Sequence, residues 1–257
     1  MMEDLVSVIM PSYNCGALIE ETISSVQAQT YHNWEILVVD DCSTDDTVKK
    51  VMELRNKDSR IRLFRNVGNL GAAMSRNHAL QEARGRWIAF LDSDDLWEPT
   101  KLEKQVRFME ANNYAFSYTL YQEIDEESKV TGVYVSGPRH ISESGMRAYC
   151  WPGLLTVMYD VNKIGLIQIE DIKKNNCYAM WLKVCKKADC HLLDDCLAKY
   201  RRGRSGSIST QGYATLIKWH YRLWHDAEKL GVIPALWHTG INLICGLYKK
   251  VKYVKNG

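Results

Sequence analysis

Five apolar residues in a row, Trp87-Ile-Ala-Phe-Leu91, run straight into Asp92-Ser-Asp-Asp95. A strand apolar on both faces is one covered by helices on either side, so this stretch predicts the central strand of an α/β domain. Nothing in a core requires three carboxylates at the end of such a strand. In open α/β sheets ligands bind beyond the carboxyl ends of the strands, and Asp-x-Asp there offers hard oxygen ligands to a divalent cation. A cation held by only one or two carboxylates keeps positions open for a substrate diphosphate. The competing reading is an acidic turn ahead of a helix that carries Pro99 in its first turn.

The residues before this strand repeat its design. Val6-Ser-Val-Ile-Met10 reads as a first strand stopped by Pro11, and Ile19, Ile23 and Val26 as the stripe of a first helix. The loop between them, Pro11-Ser-Tyr-Asn14, lacks G-x-G-x-x-G, which argues against a nicotinamide or flavin enzyme. Tyr13 on that loop is placed either to lie on a flat base or to pack beneath the loop. Glu35-Ile-Leu-Val-Val-Asp-Asp41 is a second apolar strand ending in acids, with Ser43 and Thr44 as expected caps of a helix striped by Val48, Val51 and Met52. A carboxylate at Asp41 can accept the N3 proton of uracil or thymine, and helix capping by Asp45 and Asp46 competes for these acids. Ile61-Arg-Leu-Phe64 is a third strand. Asn66-Val-Gly-Asn-Leu-Gly71 then turns into a helix through Ala83, and Arg76 in its first turns is within reach of a phosphate or base.

A length of 257 residues allows one α/β domain with an appended segment, and a net charge of +2 gives no global basic field for nucleic acid. The eight cysteines contain no Cys-x-x-Cys pair and no leader precedes the first strand, so the expectation is a cytoplasmic protein with reduced thiols. Cys177, Cys185, Cys190, His191 and Cys196 lack the short paired spacings of structural zinc sites.

Val6 to Asn14, Gln29 to Asp45, Gly71 to Asn77 and Phe90 to Asp95, in that order, resemble glycosyltransferase family 2. The resemblance implies an α/β GT-A fold, a Rossmann-like mixed sheet that binds a nucleotide-sugar donor, an inverting mechanism, and a Mn²⁺ or Mg²⁺ ion. It divides the chain into a GT-A domain over 1–212, with 1–120 for the nucleotide-sugar and 121–212 for acceptor and lid, and a helical extension over 213–257. Matched residue by residue, Pro11, Tyr13 and Asp41 would contact the base and Asp92 the ribose side. Ser93 joins the nucleotide contacts, Arg76 lies near the nucleotide, and Asp94 would hold the metal. In a single displacement an acceptor hydroxyl attacks the anomeric carbon, and the metal neutralises charge on the departing diphosphate.

The second half carries less. Leu102, Val106 and Met109 stripe a helix, Tyr114, Phe116 and Tyr118 alternate as a strand, and Gln122 to Ser144 reads as a hairpin or loop over the site. Asn175-Asn-Cys-Tyr-Ala-Met-Trp-Leu182 resembles the family segment whose aspartate is the candidate catalytic base. Cys177 stands at the aspartate position, and a thiol acts as a base only with a depressed pKa. Glu170 and Asp171 are the nearest replacements. The departure leaves a second reading, a donor-binding or scaffolding protein of impaired activity, and a nucleotidyltransferase is a third that the loop after the first strand disfavours. Arg201, Arg202 and Arg204 in a Ser- and Gly-rich stretch are placed to close over a diphosphate. From Tyr213 the sequence turns aromatic and ends in Lys249-Lys-Val-Lys-Tyr-Val-Lys255. That pattern predicts a helix on the inner membrane surface, facing a lipid-linked acceptor, or a homodimer contact.

Overall fold

The computed structural model describes residues 4–203 and 213–256. In chain order its elements are β1 (Val6–Ser12), α1 (Ile19–Gln27), β2 (Trp34–Asp40), α2 (Thr47–Lys57), β3 (Ile61–Arg65), α3 (Ala72–Glu82) and β4 (Trp87–Phe90). Then come β5 (Leu96–Trp97), α4 (Lys101–Ala111), β6 (Phe116–Ile124), β7 (Val130–Val135), β8 (His140–Ile141) and α5 (Glu143–Ala148). The chain continues with β9 (Met158–Asp160), α6 (Val161–Ile164), α7 (Asn176–Cys185), β10 (Cys190–Arg201), α8 (Tyr213–Arg222), α9 (Val232–Lys252) and β11 (Val254–Asn256).

β3, β2, β1 and β4 lie side by side and parallel, in the order 3-2-1-4. The chain therefore steps outward from β1 to β3 and returns to the opposite side of β1 at β4. That reversal opens a crevice at the carboxyl ends of β1 and β4, where α/β sheets take ligands. β9 runs antiparallel between β4 and β6, and the β6–β7 hairpin continues the sheet to β11 at its edge.

Alternation explains the unbroken apolar runs. Val6, Val8 and Met10 of β1 pack on one face with Ile19, Ile23 and Val26 of α1, Val51 of α2 and Leu102, Val106 and Met109 of α4. Ile9 points to the other face with Ile88, Phe90 and the α3 residues Ala79 and Leu80. On that second face Trp181 of α7 meets Phe90 edge-on, with centroids 5.4 Å apart. Such a pair adds about 0.5–1.5 kcal/mol beyond burial and ties α7 to the strand that ends in the acids. Gly85 leads into β4 against β1, where a Cβ would stand 2.5 Å from the Leu5 carbonyl oxygen, so the close approach requires glycine.

Three expectations are corrected. β1 continues through Pro11 to Ser12, pairing Pro11 with Val39. The Ile9 carbonyl accepts from Leu91 N, and residue i+2 faces the same way, so the missing Pro11 N–H points beyond the end of β4, where no ladder partner is lost. Met52 is 51% exposed rather than part of the α2 stripe. Ser43 and Thr44 do not cap α2; they bind Asn14, with Ser43 Oγ accepting from Asn14 N at 2.9 Å and Thr44 N donating to Asn14 Oδ1 at 2.8 Å. Thr47 and Asp45 close that turn instead, through Thr47 N to Asp45 Oδ1 at 3.0 Å.

Candidate functional site

The crevice is a cavity of about 1210 Å³ whose floor is formed by the ends of β1, β2 and β4. Pro11 enters it from β1, and Tyr13, 47% exposed, lines it from the loop that follows, which is fastened by Ser43 and Thr44. Asp41, 3% exposed, enters from β2. Its Oδ1 accepts from Asn66 Nδ2 and Leu70 N, each at 2.8 Å, and its Oδ2 accepts from Gly71 N at 2.7 Å. The carboxylate thus fixes the 66–71 turn and the start of α3, and Gly71 adopts a φ of 83° there, which disfavours any side chain. Three of its roughly four acceptor positions are taken by this turn.

α3 carries Arg76 beneath this turn, 5% exposed, and its Nη2 meets Asp92 Oδ1 at 2.5 Å. Burial works against the guanidinium charge, but Asp92, with Asp94 adding to it, holds Arg76 protonated more firmly than usual. The Arg76 Nε is buried with no hydrogen-bond partner. Ser93 is buried and donates to Cys15 Sγ at 2.9 Å, which braces the acid turn against the β1 loop. Asp95 lies below, 2% exposed, and burial together with Asp94 and Asp92 drives its pKa well above the ordinary carboxylate range. Its Oδ1 accepts from Arg201 N at 2.9 Å. Asp92 and Asp94 line the cavity, and carboxylate oxygens are the donors that hard divalent cations take.

The far wall comes from the loop before α7. Asp171 is exposed and lines the cavity, whereas Glu170 does not line it and is paired with Lys183 at 2.5 Å. Cys177, in the first turn of α7, lines the cavity too and donates to Asn176 Oδ1 at 3.1 Å. Burial pushes its thiol above the ordinary value and Arg76 offsets this only in part, so the group is a neutral thiol at neutral pH. That direction is opposite to the depression a thiolate base requires.

The three lid arginines separate. Arg201, with a side chain 1% exposed, donates to the carbonyls of Asp94, Asp125 and Glu126 and pairs with Glu21 at 2.9 Å. It is a buried tie between β10 and the acid turn, which corrects its assignment to a lid. Arg202 lines the cavity and pairs with Glu123. Arg204 lies outside the described residues.

Several wall residues had no signal in the sequence. Tyr121 and Tyr200 line the cavity with rings 5.9 Å apart, brought together because β6 and β10 pair in parallel. Lys173 and Lys174 line it from the loop before α7, and Trp219 and Lys249 reach it from α8 and α9.

The Glycosyl transferase family 2 profile matches residues 7–164. The chain is 42% identical over 219 residues to the UDP-Glc:alpha-D-GlcNAc-diphosphoundecaprenol beta-1,3-glucosyltransferase WfgD of Escherichia coli, covering 84% of each. Among solved structures, S. aureus TarS 1-349 in complex with UDP-GlcNAc superposes with a TM-score of 0.73 at 21% identity, over 96% of this chain and 76% of that one. The mannosyltransferase PcManGT from Pyrobaculum calidifontis, in complex with GDP-Man and Mn2+, gives 0.63 at 18% identity, over 95% and 75%. The fold is GT-A, with a helical carboxyl-terminal part.

Proposed function

The chain belongs to glycosyltransferase family 2, and from that premise we propose that it transfers a sugar, with inversion, from a UDP-sugar to a glycan or lipid-linked acceptor in surface polysaccharide synthesis. The observation that carries this reading is the convergence of Tyr13, Asp41, Arg76, Asp92 and Asp94 on one cavity at the strand reversal. Tyr13 offers an exposed ring for the base, and Asp41 keeps one acceptor position for the uracil N3 proton. Arg76 orients Asp92 toward the ribose.

Asp94, with Asp92 beside it, is the residue to hold a Mn²⁺ or Mg²⁺ ion, which when bound would neutralise charge on the departing diphosphate. Among the described residues no group of three or more His, Cys, Asp or Glu is arranged to hold a metal, so donor oxygens would complete the coordination. Asp171 is the general base in this reading: it is the exposed carboxylate on the wall opposite the donor, and it would take the proton of the attacking hydroxyl. Cys177, whose thiol burial raises, lines the same cavity without that role.

A peripheral membrane contact is part of the reading. α9 turns Ala235, Thr239 and Asn242 inward and leaves Ile233, Trp237, Ile244, Leu247 and Val251 exposed on its other side, with Lys250 and Lys252 at the border. Among the described residues no helix is long and apolar enough to cross a membrane. A helix with this face suits a headgroup layer. The same residues recur at spacings of four and seven, which favours a second reading, a homodimer through α9.

Calorimetric titration of UDP with and without Mn²⁺, followed by UDP-sugar turnover on a diphosphate-linked glycosyl lipid, tests the enzymatic reading. Metal-enhanced UDP binding with turnover supports it, and equal binding without metal refutes the metal assignment. Flotation with anionic vesicles tests the membrane contact: Trp237→Asp should release the protein, and a dimer that dissociates instead would support the second reading.

A further inference from the structure

Asn77 follows Arg76 on α3, is buried, and joins both ends of its side-chain amide to one residue far along the chain. Its Nδ2 donates to the Ile169 carbonyl at 2.8 Å, and its Oδ1 accepts from Ile169 N at 2.7 Å. Two opposed strands exchange the same pair of bonds, so a single side chain here does the work of a ladder partner and fixes both the position and the orientation of that backbone. Ile169 lies in an irregular segment, and its side chain is buried in the core beneath α7. Without Asn77 its N–H and C=O would stand unpaired away from water.

The two neighbours on α3 serve opposite walls of the cavity. Successive residues of a helix point about 100° apart, and Arg76 reaches Asp92 of the acid turn while Asn77 reaches the segment that leads to α7. The helix itself takes its start from Asp41, which accepts from Gly71 N. Ile169 precedes Asp171 by two residues, and two residues of chain span at most about 7 Å. Asp171 is exposed, so its carboxylate is placed only as well as the backbone that carries it. From the α7 side that backbone is held by Lys183, which pairs with Glu170 and donates to the Gln168 carbonyl. From the donor side it is held by Asn77.

We propose that Asn77 is a positioning residue for the transfer. Its two bonds to Ile169 set the distance between the Asp171 carboxylate and the donor site at Asp92 and Asp94, and one helix thereby registers the base against the donor. This inference rests on the reading of Asp171 as general base.

The experiment compares the whole chain with Asn77→Ala, Asn77→Gln, Asp171→Asn and the Asn77→Ala/Asp171→Asn pair. UDP affinity is measured by calorimetry, and kcat with the UDP-sugar and diphosphate-linked glycosyl lipid of the turnover assay above. Asn77→Ala should lower kcat by about 10²-fold, the scale of a reacting group misplaced by about 1 Å, and hold UDP affinity within about twofold. Asn77→Gln keeps the amide on an arm one methylene longer, should lose about tenfold in kcat with the same UDP affinity, and decides the question should Asn77→Ala not fold. In the Asp171→Asn background Asn77→Ala should cost less than about threefold more, because the group it positions is already gone. Unchanged kcat in a folded Asn77 variant, UDP affinity that falls in step with kcat, or a full loss repeated in the Asp171→Asn background would each overturn the proposal. Full turnover in Asp171→Asn itself would strike the base reading and the role of Asn77 with it, whereas loss in Asp171→Asn without loss in Asn77→Ala would strike the positioning role alone.

Discussion

Asp41 at the end of β2 accepts the backbone amide of Gly71 at 2.7 Å, so a carboxylate on one strand sets where α3 begins and, through it, where Arg76 lies. On the proposed reading, recognition and architecture share one side chain. Asp41→Asn replaces an acceptor oxygen by an NH₂ facing N–H donors, and a buried donor left unpaired costs about 1–3 kcal/mol. The expected result is a lower Tm together with weaker UDP binding. Unchanged Tm with weaker UDP binding would mean that the turn does not depend on Asp41.

Asp94→Ala should leave circular dichroism and Tm near those of the parent and reduce UDP affinity in Mn²⁺ to its metal-free level. Retained metal enhancement would move the ion to another residue.

Asp171→Asn should lower kcat by about 10²–10⁴, the usual yield of a positioned general base, while Cys177→Ala retains turnover. The Cys177 thiol is raised by burial, so turnover should show no alkaline increase that Cys177→Ala abolishes. Such an increase would restore the thiolate as base.

Arg201 and Arg202 are adjacent and should behave differently. Arg201→Ala removes a buried guanidinium that binds three carbonyls and Glu21, an expected loss of about 3–5 kcal/mol in urea unfolding. Arg202, half exposed, pairs with Glu123, and such exposed pairs contribute about 0–1 kcal/mol. Arg202→Ala should therefore keep its Tm, with its effect confined to KM for the donor.

Lys101 is fully buried with its Nζ 3.9 Å from the Trp97 ring centre and no hydrogen-bond partner, and burial lowers its pKa well below the ordinary value. Below the unfolded value of about 10.4, the unfolded chain holds a proton that the folded one releases, so the group destabilises the fold increasingly as pH falls toward its folded pKa. Lys101→Met should raise Tm at neutral pH and flatten the rise in stability between neutral and alkaline pH. Parallel pH profiles for parent and variant would show Lys101 charged in the folded state.

The amino-terminal half was legible because its information is local. Apolar runs of the right length announced β1, β2 and β4, and acids or a tyrosine immediately after them announced the cavity floor, since the end of a buried parallel strand is where a ligand meets the sheet. The residues that share a wall across large separations were not legible in this way. Arg201 reads as one more arginine of a basic loop, and only the pairing of β10 with β5 and β6 buries it under the acid turn. Lys101 looks like a surface residue at a helix start until α4 docks on Trp97. Lys173, Lys174, Trp219 and Lys249 fit no motif, and their meeting depends on how α7, α8 and α9 pack. Sequence alone determined which segments are buried and which strand ends carry chemistry, because periodicity and composition encode burial residue by residue. Tertiary structure decided which charges are paired, which remain available and which face one another, because those follow from distances between elements that no stretch of sequence contains.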